Sequence, residues 1–128
     1  LAAIAAVACT APTTRPEPSD SYLVVRNSGG FDAVVYVVSE LGATRVRIGT
    51  VPANAIKGIE LRRANVPLTN VLTLGIHPIG TNTTWTSAGV MLQPGTVPML
   101  DLAIGTGGDC SSCALRVVPT SAAASLRR

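Results

Sequence analysis

The sequence predicts an all-β protein, an antiparallel β-sandwich of about seven or eight short strands. Composition is the first reason. Of 128 residues 47% are apolar but only four are aromatic, Tyr22, Phe31, Tyr36 and Trp85, so Val, Ile, Leu and Ala must fill the core. Val and Thr are abundant while the helix formers Glu, Gln and Lys are scarce, a balance that favours strands. The second reason is spacing: short apolar runs recur every ~8–12 residues with Gly, Pro and Asn between them, the rhythm of a sandwich or barrel. The third is that no segment holds a 3.6-residue period over three turns, and no internal repeat is present. A chain of this length forms one domain and buries roughly two-thirds of its unfolded surface.

Each strand has its own justification. SYLVVRN predicts a strand near 22–27, closed by the turn Asn27-Ser28-Gly29-Gly30. AVVYVVSE, near 33–40, is apolar on both faces, as a central or doubly covered strand requires. TRVRIGTV, near 44–51, sets Val46 and Ile48 against Arg45 and Arg47, a half-buried strand with one solvated face. Pro52-Ala53-Asn54 turns the chain, and KGIELRR continues as a strand near 56–62, carrying Arg62. VLTLGIHPIG predicts a strand near 70–77 ended by Pro78 and Gly80, and WTSAGVMLQ another near 85–93 before Pro94-Gly95. VPMLDLAIG, near 97–104, alternates Met99, Asp101 and Ala103 against Leu100, Leu102 and Ile104. CALRVVP, near 113–118, is the last strand, and 120–128 is a small, polar and loose tail.

The first twenty residues do not belong to this pattern. LAAIAAVA is apolar and made of small residues, far shorter than the ~20 residues of a membrane-spanning helix. It has the character of the end of a signal h-region running into a small-residue cleavage site. Ala6-Val7-Ala8-Cys9 resembles a bacterial lipobox, with Ala6 departing from the usual Leu, Val or Ile. The resemblance implies that residues 1–8 are a signal remnant and that Cys9 carries lipid. The TAPTTRPEPSD that follows, Thr- and Pro-rich, makes 9–20 an extended tether and 21–119 the folded domain. A lipid-bearing Cys9 anchors the domain on the membrane, outside the cytoplasm, in the periplasm or at the cell surface. The alternatives are an ordinary secretory signal that leaves Cys9 a free thiol, or a short segment packed into the fold.

Across 21–104, Val25-Arg26-Asn27, Ala33 to Val37, Arg45 to Asn54 and Pro94-Gly95 together resemble a type of small uncharacterised bacterial lipoprotein. The resemblance implies an immunoglobulin-like or transthyretin-like sandwich and carries no activity with it.

The chemistry-bearing residues are few. A net charge of +3, almost all from Arg with Lys57 the single lysine, and no aromatic-plus-basic platform argue against nucleic acid as a partner. Cys110-Ser111-Ser112-Cys113 predicts a structural disulfide closing a turn outside the cytoplasm. A thioredoxin-like use needs a helix starting at the motif. A haem site needs His where Ala114 stands, and zinc needs four ligands, for which only His77 and scattered acids are at hand. His77, the single histidine, stands at a strand end without a nucleophile elbow, so it is placed on the rim. The acids Glu17, Asp20, Asp32, Glu40, Glu60, Asp101 and Asp109 form no paired cluster, and Asp101 falls on the exposed face of its strand. No catalytic set, metal or cofactor is predicted.

The candidate interaction surface consists of Arg45 and Arg47 on one strand, Arg62 and Arg63 on the next, and Trp85, which anchors a partner or sugar if exposed and plugs one end of the sandwich if buried, the reading favoured here. It could meet lipid head groups or an acidic partner. The expected function is a non-enzymatic, membrane-anchored structural or interaction subunit that docks on a larger membrane or envelope assembly, such as a respiratory or photosynthetic complex. The alternative is a carbohydrate- or ligand-binding module using Trp85 and its neighbouring loops. A redox enzyme built on Cys110 and Cys113 is the weakest of the three.

Overall fold

Ten strands in two packed sheets and a short ribbon make up the folded chain, as seen in a computed structural model that describes residues 22–39, 42 and 44–122. The signal-like stretch, Cys9 and the tether lie outside the described residues, as do 123–128. The strands are β1 (Tyr22–Asn27), β2 (Ala33–Val38), β3 (Arg45–Val51), β4 (Ala55–Glu60), β5 (Val71–Leu72), β6 (Leu74–Pro78), β7 (Trp85–Thr86), β8 (Val90–Met91), β9 (Thr96–Leu102) and β10 (Ala114–Pro119). One sheet runs β10-β9-β1-β4 and the other β3-β2-β6-β7, while β5 and β8 pair separately. All neighbours are antiparallel except β1 and β9, which are parallel.

The strand count exceeds the seven or eight expected because two long segments each break in two. Residues 70–78 and 85–93 form one hairpin that pairs twice, Gly75 and Ile76 with Thr86 and Trp85, then Val71 and Leu72 with Met91 and Val90. The register slips by one between those pairs. At the slip the buried Ser87 accepts the Leu74 N–H on its hydroxyl, 3.0 Å, and donates its own N–H to the Leu74 carbonyl, 2.8 Å. A side chain thus stands in for the ladder, and each alternating run reads as one strand although its pairing is interrupted.

The main core lies between the two sheets. Leu23 and Val25 of β1, Ile59 of β4 and Leu100 and Leu102 of β9 face Ala33, Val35 and Val37 of β2 and Leu74 and Ile76 of β6, all nearly or wholly buried. β2 is central, as its two apolar faces predict. Its other face carries Val34, Tyr36 and Val38. A second cluster of Val24, Val97, Met99 and Val118, with Tyr22 against it, lies on the outer face of the β10-β9-β1-β4 sheet. Arg26, Asp101 and Arg116 share that face, so it is part apolar and part charged.

Asn27 ties one end of this architecture together. It is 1% exposed, and its Nδ2 lies within donating distance of the carbonyls of Phe31 (2.8 Å), Pro52 (3.2 Å) and Val51 (3.3 Å). Its Oδ1 accepts the Gly29 N–H at 3.0 Å. One side chain so fixes the β1–β2 turn against the β3–β4 turn, where Asn54 takes the left-handed conformation at φ 57°. Gly29 has to be glycine here: a Cβ would stand 2.9 Å from the Ile104 Cβ and 3.0 Å from its backbone.

Candidate interaction surface

β3 positions two of the expected cations. Its pairing with β2 slips between Val35 and Tyr36, which leaves Ile48 as an extra residue. The bulge lets Ile48 pack on the core while Arg45 and Arg47 stay together on the outer face. Directly opposed residues share a face, so Arg47, Tyr36, Gly75 and Thr86 form one row across β3-β2-β6-β7. Thr50, Val34 and His77 form the row beside it, and Arg45 and Val38 the start of a third. Arg47 donates from Nη2 to Thr50 Oγ1 at 2.8 Å. Gly75 leaves a notch in the sheet: a Cβ there would lie 3.1 Å from Arg45 Nη1, so that guanidinium rests over the glycine. The face thus presents two exposed guanidinium groups and a half-buried tyrosine ring, with Val34 and Val38 buried beneath them. Val46 shares the core side with Val37 but sits beyond the packed region and is 44% exposed, against the expectation of burial.

Arg62 and Arg63 are not on a strand. β4 stops at Glu60, and Arg62 precedes a short 3₁₀ turn over Arg63–Asn65. The reason is Leu61, which is 1% exposed and continues the inward alternation after Ile59, pulling the chain over the end of the sandwich. Arg62 lines a shallow recess of about 220 Å³ with Arg47, Ile48, Glu60 and Asn65. Arg63 turns away, lining a recess of about 250 Å³ with Leu61, Val66, Asn70, Leu92 and Pro98. Of the four arginines, then, Arg47 and Arg62 meet at one recess, Arg45 lies over Gly75, and Arg63 faces the end of the molecule.

Trp85 does not join them. It sits opposite Ile76, on the core side of its sheet, and packs half-buried against the main core. Its neighbour Thr86 holds the place in the arginine row. His77 is half-buried on the outer face, with Nδ1 2.9 Å from the Thr83 carbonyl. A carbonyl can only accept, so Nδ1 carries the proton.

Cys110 and Cys113 form a disulfide, with Cα atoms 5.0 Å apart. Cys110 is buried and Cys113 packs beside it against the main core, immediately before β10. Asp101 stands on the outer face as expected, and it accepts from Arg26 Nε at 3.0 Å and Arg116 Nη2 at 3.1 Å. The arginine side chains are 42% and 48% exposed, so water screens both pairs and each contributes about 0–1 kcal/mol. Their larger consequence is for surface charge. Among the described residues Asp101 is shared by Arg26 and Arg116 and offsets one of their two charges, while Arg45, Arg47, Lys57, Arg62 and Arg63 have no ion pair. Lys57 instead donates to the Thr50 carbonyl at 2.9 Å across the open β3–β4 side.

Among the described residues no group of three His, Cys, Asp or Glu side chains is placed to hold a metal ion, and no helix is long and apolar enough to cross a membrane. Comparison with protein-family models, with curated proteins and with solved structures finds no match for this chain. Tyr36 and Leu68 are surface residues that the sequence does not single out. Tyr36 joins the arginines only through the β2–β3 register. Leu68 lies in Pro67-Leu68-Thr69-Asn70, where the proline and asparagine are the one signal of a projecting turn.

Proposed function

We propose that this chain is a non-enzymatic, lipid-anchored interaction subunit outside the cytoplasm, held at the membrane through Cys9 and docked on an acidic surface of a membrane or envelope assembly. The observation that carries the reading is the outer face of β3-β2-β6-β7, where Arg45 and Arg47 stand exposed around the half-buried Tyr36, without ion pairs among the described residues. Arginine and tyrosine are favoured interface residues, because both offer a large flat surface with a polar edge. The Cys110–Cys113 disulfide supports placement in an oxidising compartment. The strand order also bears on the resemblance to small lipoproteins. β1 pairs with β4 and β9 rather than with β2, which departs from the immunoglobulin arrangement.

Purification of the tagged protein from native membranes tests both halves of the proposal. The expected result is a mature chain that begins at Cys9 with acyl groups attached. A stoichiometric protein partner should accompany it, and Arg45→Glu with Arg47→Glu should release that partner. A chain that keeps Leu1–Ala8 without lipid refutes the anchor. Retention on glycans with no protein partner refutes the docking module in favour of a ligand-binding one.

A further inference from the structure

The chain from Leu61 to Asn70 carries a feature that the docking face does not use. Leu61 and Val66 hold the segment to the core, and the Asn70 N–H closes a turn on the Pro67 carbonyl at 2.9 Å. Leu68 sits at the corner of that turn and is 101% exposed. Backbone hydrogen bonds hold it there: Val66 N–H to Arg63 O at 3.1 Å on one side, Leu92 N–H to Asn70 O at 2.8 Å on the other. Met91, on the strand that this second bond leads into, is 51% exposed. Arg62 and Arg63 stand exposed at the base of the turn, without ion pairs among the described residues. The recess beside Leu68 measures only about 120 Å³, too small for an ordinary ligand.

A projecting apolar tip with the guanidinium of Arg63 beside it matches a surface that yields to a projecting side chain and carries negative charge. We infer that the Leu61–Asn70 loop is a membrane-contacting tip that inserts Leu68 among the lipids of an anionic bilayer while Arg63 engages a phosphate. Interfacial binding of this kind adds buried apolar area to attraction for anionic lipid. A protein partner for Leu68 would need a pocket shaped to receive it, whereas a fluid bilayer receives it without one. The inference goes beyond the docking face and does not use the lipid on Cys9.

Co-sedimentation of the unlipidated 128-residue chain with vesicles tests it. Phosphatidylcholine alone is compared with phosphatidylcholine containing phosphatidylglycerol, at low and high salt. Binding is expected only to the anionic vesicles and should weaken with salt. A charge removed near the surface should weaken binding about fivefold, so Arg63→Gln should weaken it by about that factor. Leu68→Ser should reduce binding several-fold and Leu68→Trp should raise it, because the indole favours the interface. Arg45→Gln with Arg47→Gln should have the smaller effect. All variants share the same residues 1–20, so differences between them report on the loop, and these exposed positions leave the fold intact. No binding to anionic vesicles overturns the inference. So does binding that Leu68→Ser leaves unchanged, or binding more sensitive to Arg45 and Arg47 than to Arg63. None of these results touches the partner assay, so the two readings fail separately.

Discussion

Replacing Asn27 with alanine should destabilise the domain by about 3 kcal/mol. Two of the bonds it makes, from Nδ2 to the Val51 carbonyl and from the Gly29 N–H to Oδ1, are buried. Leaving a buried polar group unpaired costs about 1–3 kcal/mol. The bonds to Phe31 and Pro52 are partly buried, so water replaces them at smaller cost. Two fully desolvated losses plus a small remainder give the estimate, a large share of the 5–15 kcal/mol typical of a domain. Urea unfolding is the assay: with a slope of about 1–3 kcal/mol per molar the midpoint should fall by about 1–3 M while the slope stays constant. Asn27→Asp isolates the donors. It keeps the shape and can still accept the Gly29 N–H, but it turns an oxygen toward three carbonyls and buries a charge. At neutral pH it should be less stable than Asn27→Ala. An alanine variant within ~1 kcal/mol of wild type, or an aspartate variant as stable as wild type, would refute the reasoning.

Other consequences are simpler to check. Cys110→Ser with Cys113→Ser should lose about 2 kcal/mol, the chain-entropy value for so short a loop, and intact mass should rise by two hydrogens when the wild type is reduced. Chemical denaturation with and without reductant should reproduce that loss, and no change would make the disulfide dispensable. Gly108→Ala should cost more than the ~1–2 kcal/mol of a left-handed alanine, because φ is 87° and the new Cβ would meet Thr81 Cγ2 at 2.7 Å. Gly30→Ala, with open space around it, is the control and should shift the thermal midpoint little.

Much of the fold was legible because its physics is local. Alternation in Met99-Leu100-Asp101-Leu102 states which side chains go inward, and the structure buries Leu100 and Leu102 in the main core with Asp101 outside. The apolar run of β2 states that both faces meet other atoms. The Cys110–Cys113 pair is three residues apart, so no distant folding is needed to join it. Asn27 and Gly49 have structural reasons of their own. Asn27 ties two turns together, and Gly49 leaves room for Ile59, whose Cδ1 would lie 3.0 Å from a Cβ.

Where local pattern and pairing diverge, the sequence is silent. Alternation in Arg45-Val46-Arg47-Ile48 cannot report the bulge at Ile48 or the neighbours of the strand, so it could not bring Tyr36, Gly75 and the arginines onto one face. It could not place Arg62 and Arg63 off the strand either, since that follows from Leu61 turning into the core at the end of the sandwich. Trp85 became a core-side residue only when β7 paired with β6 and set it opposite Ile76. By itself the sequence determined the fold class, the inward-facing positions of most strands and the nearby cysteine pair, because burial periodicity and short loops act between close neighbours in the chain. Tertiary structure alone decided which cations pair with an acid among the described residues and which apolar side chain projects, because those depend on contacts between residues far apart in sequence, such as Asp101 with Arg26.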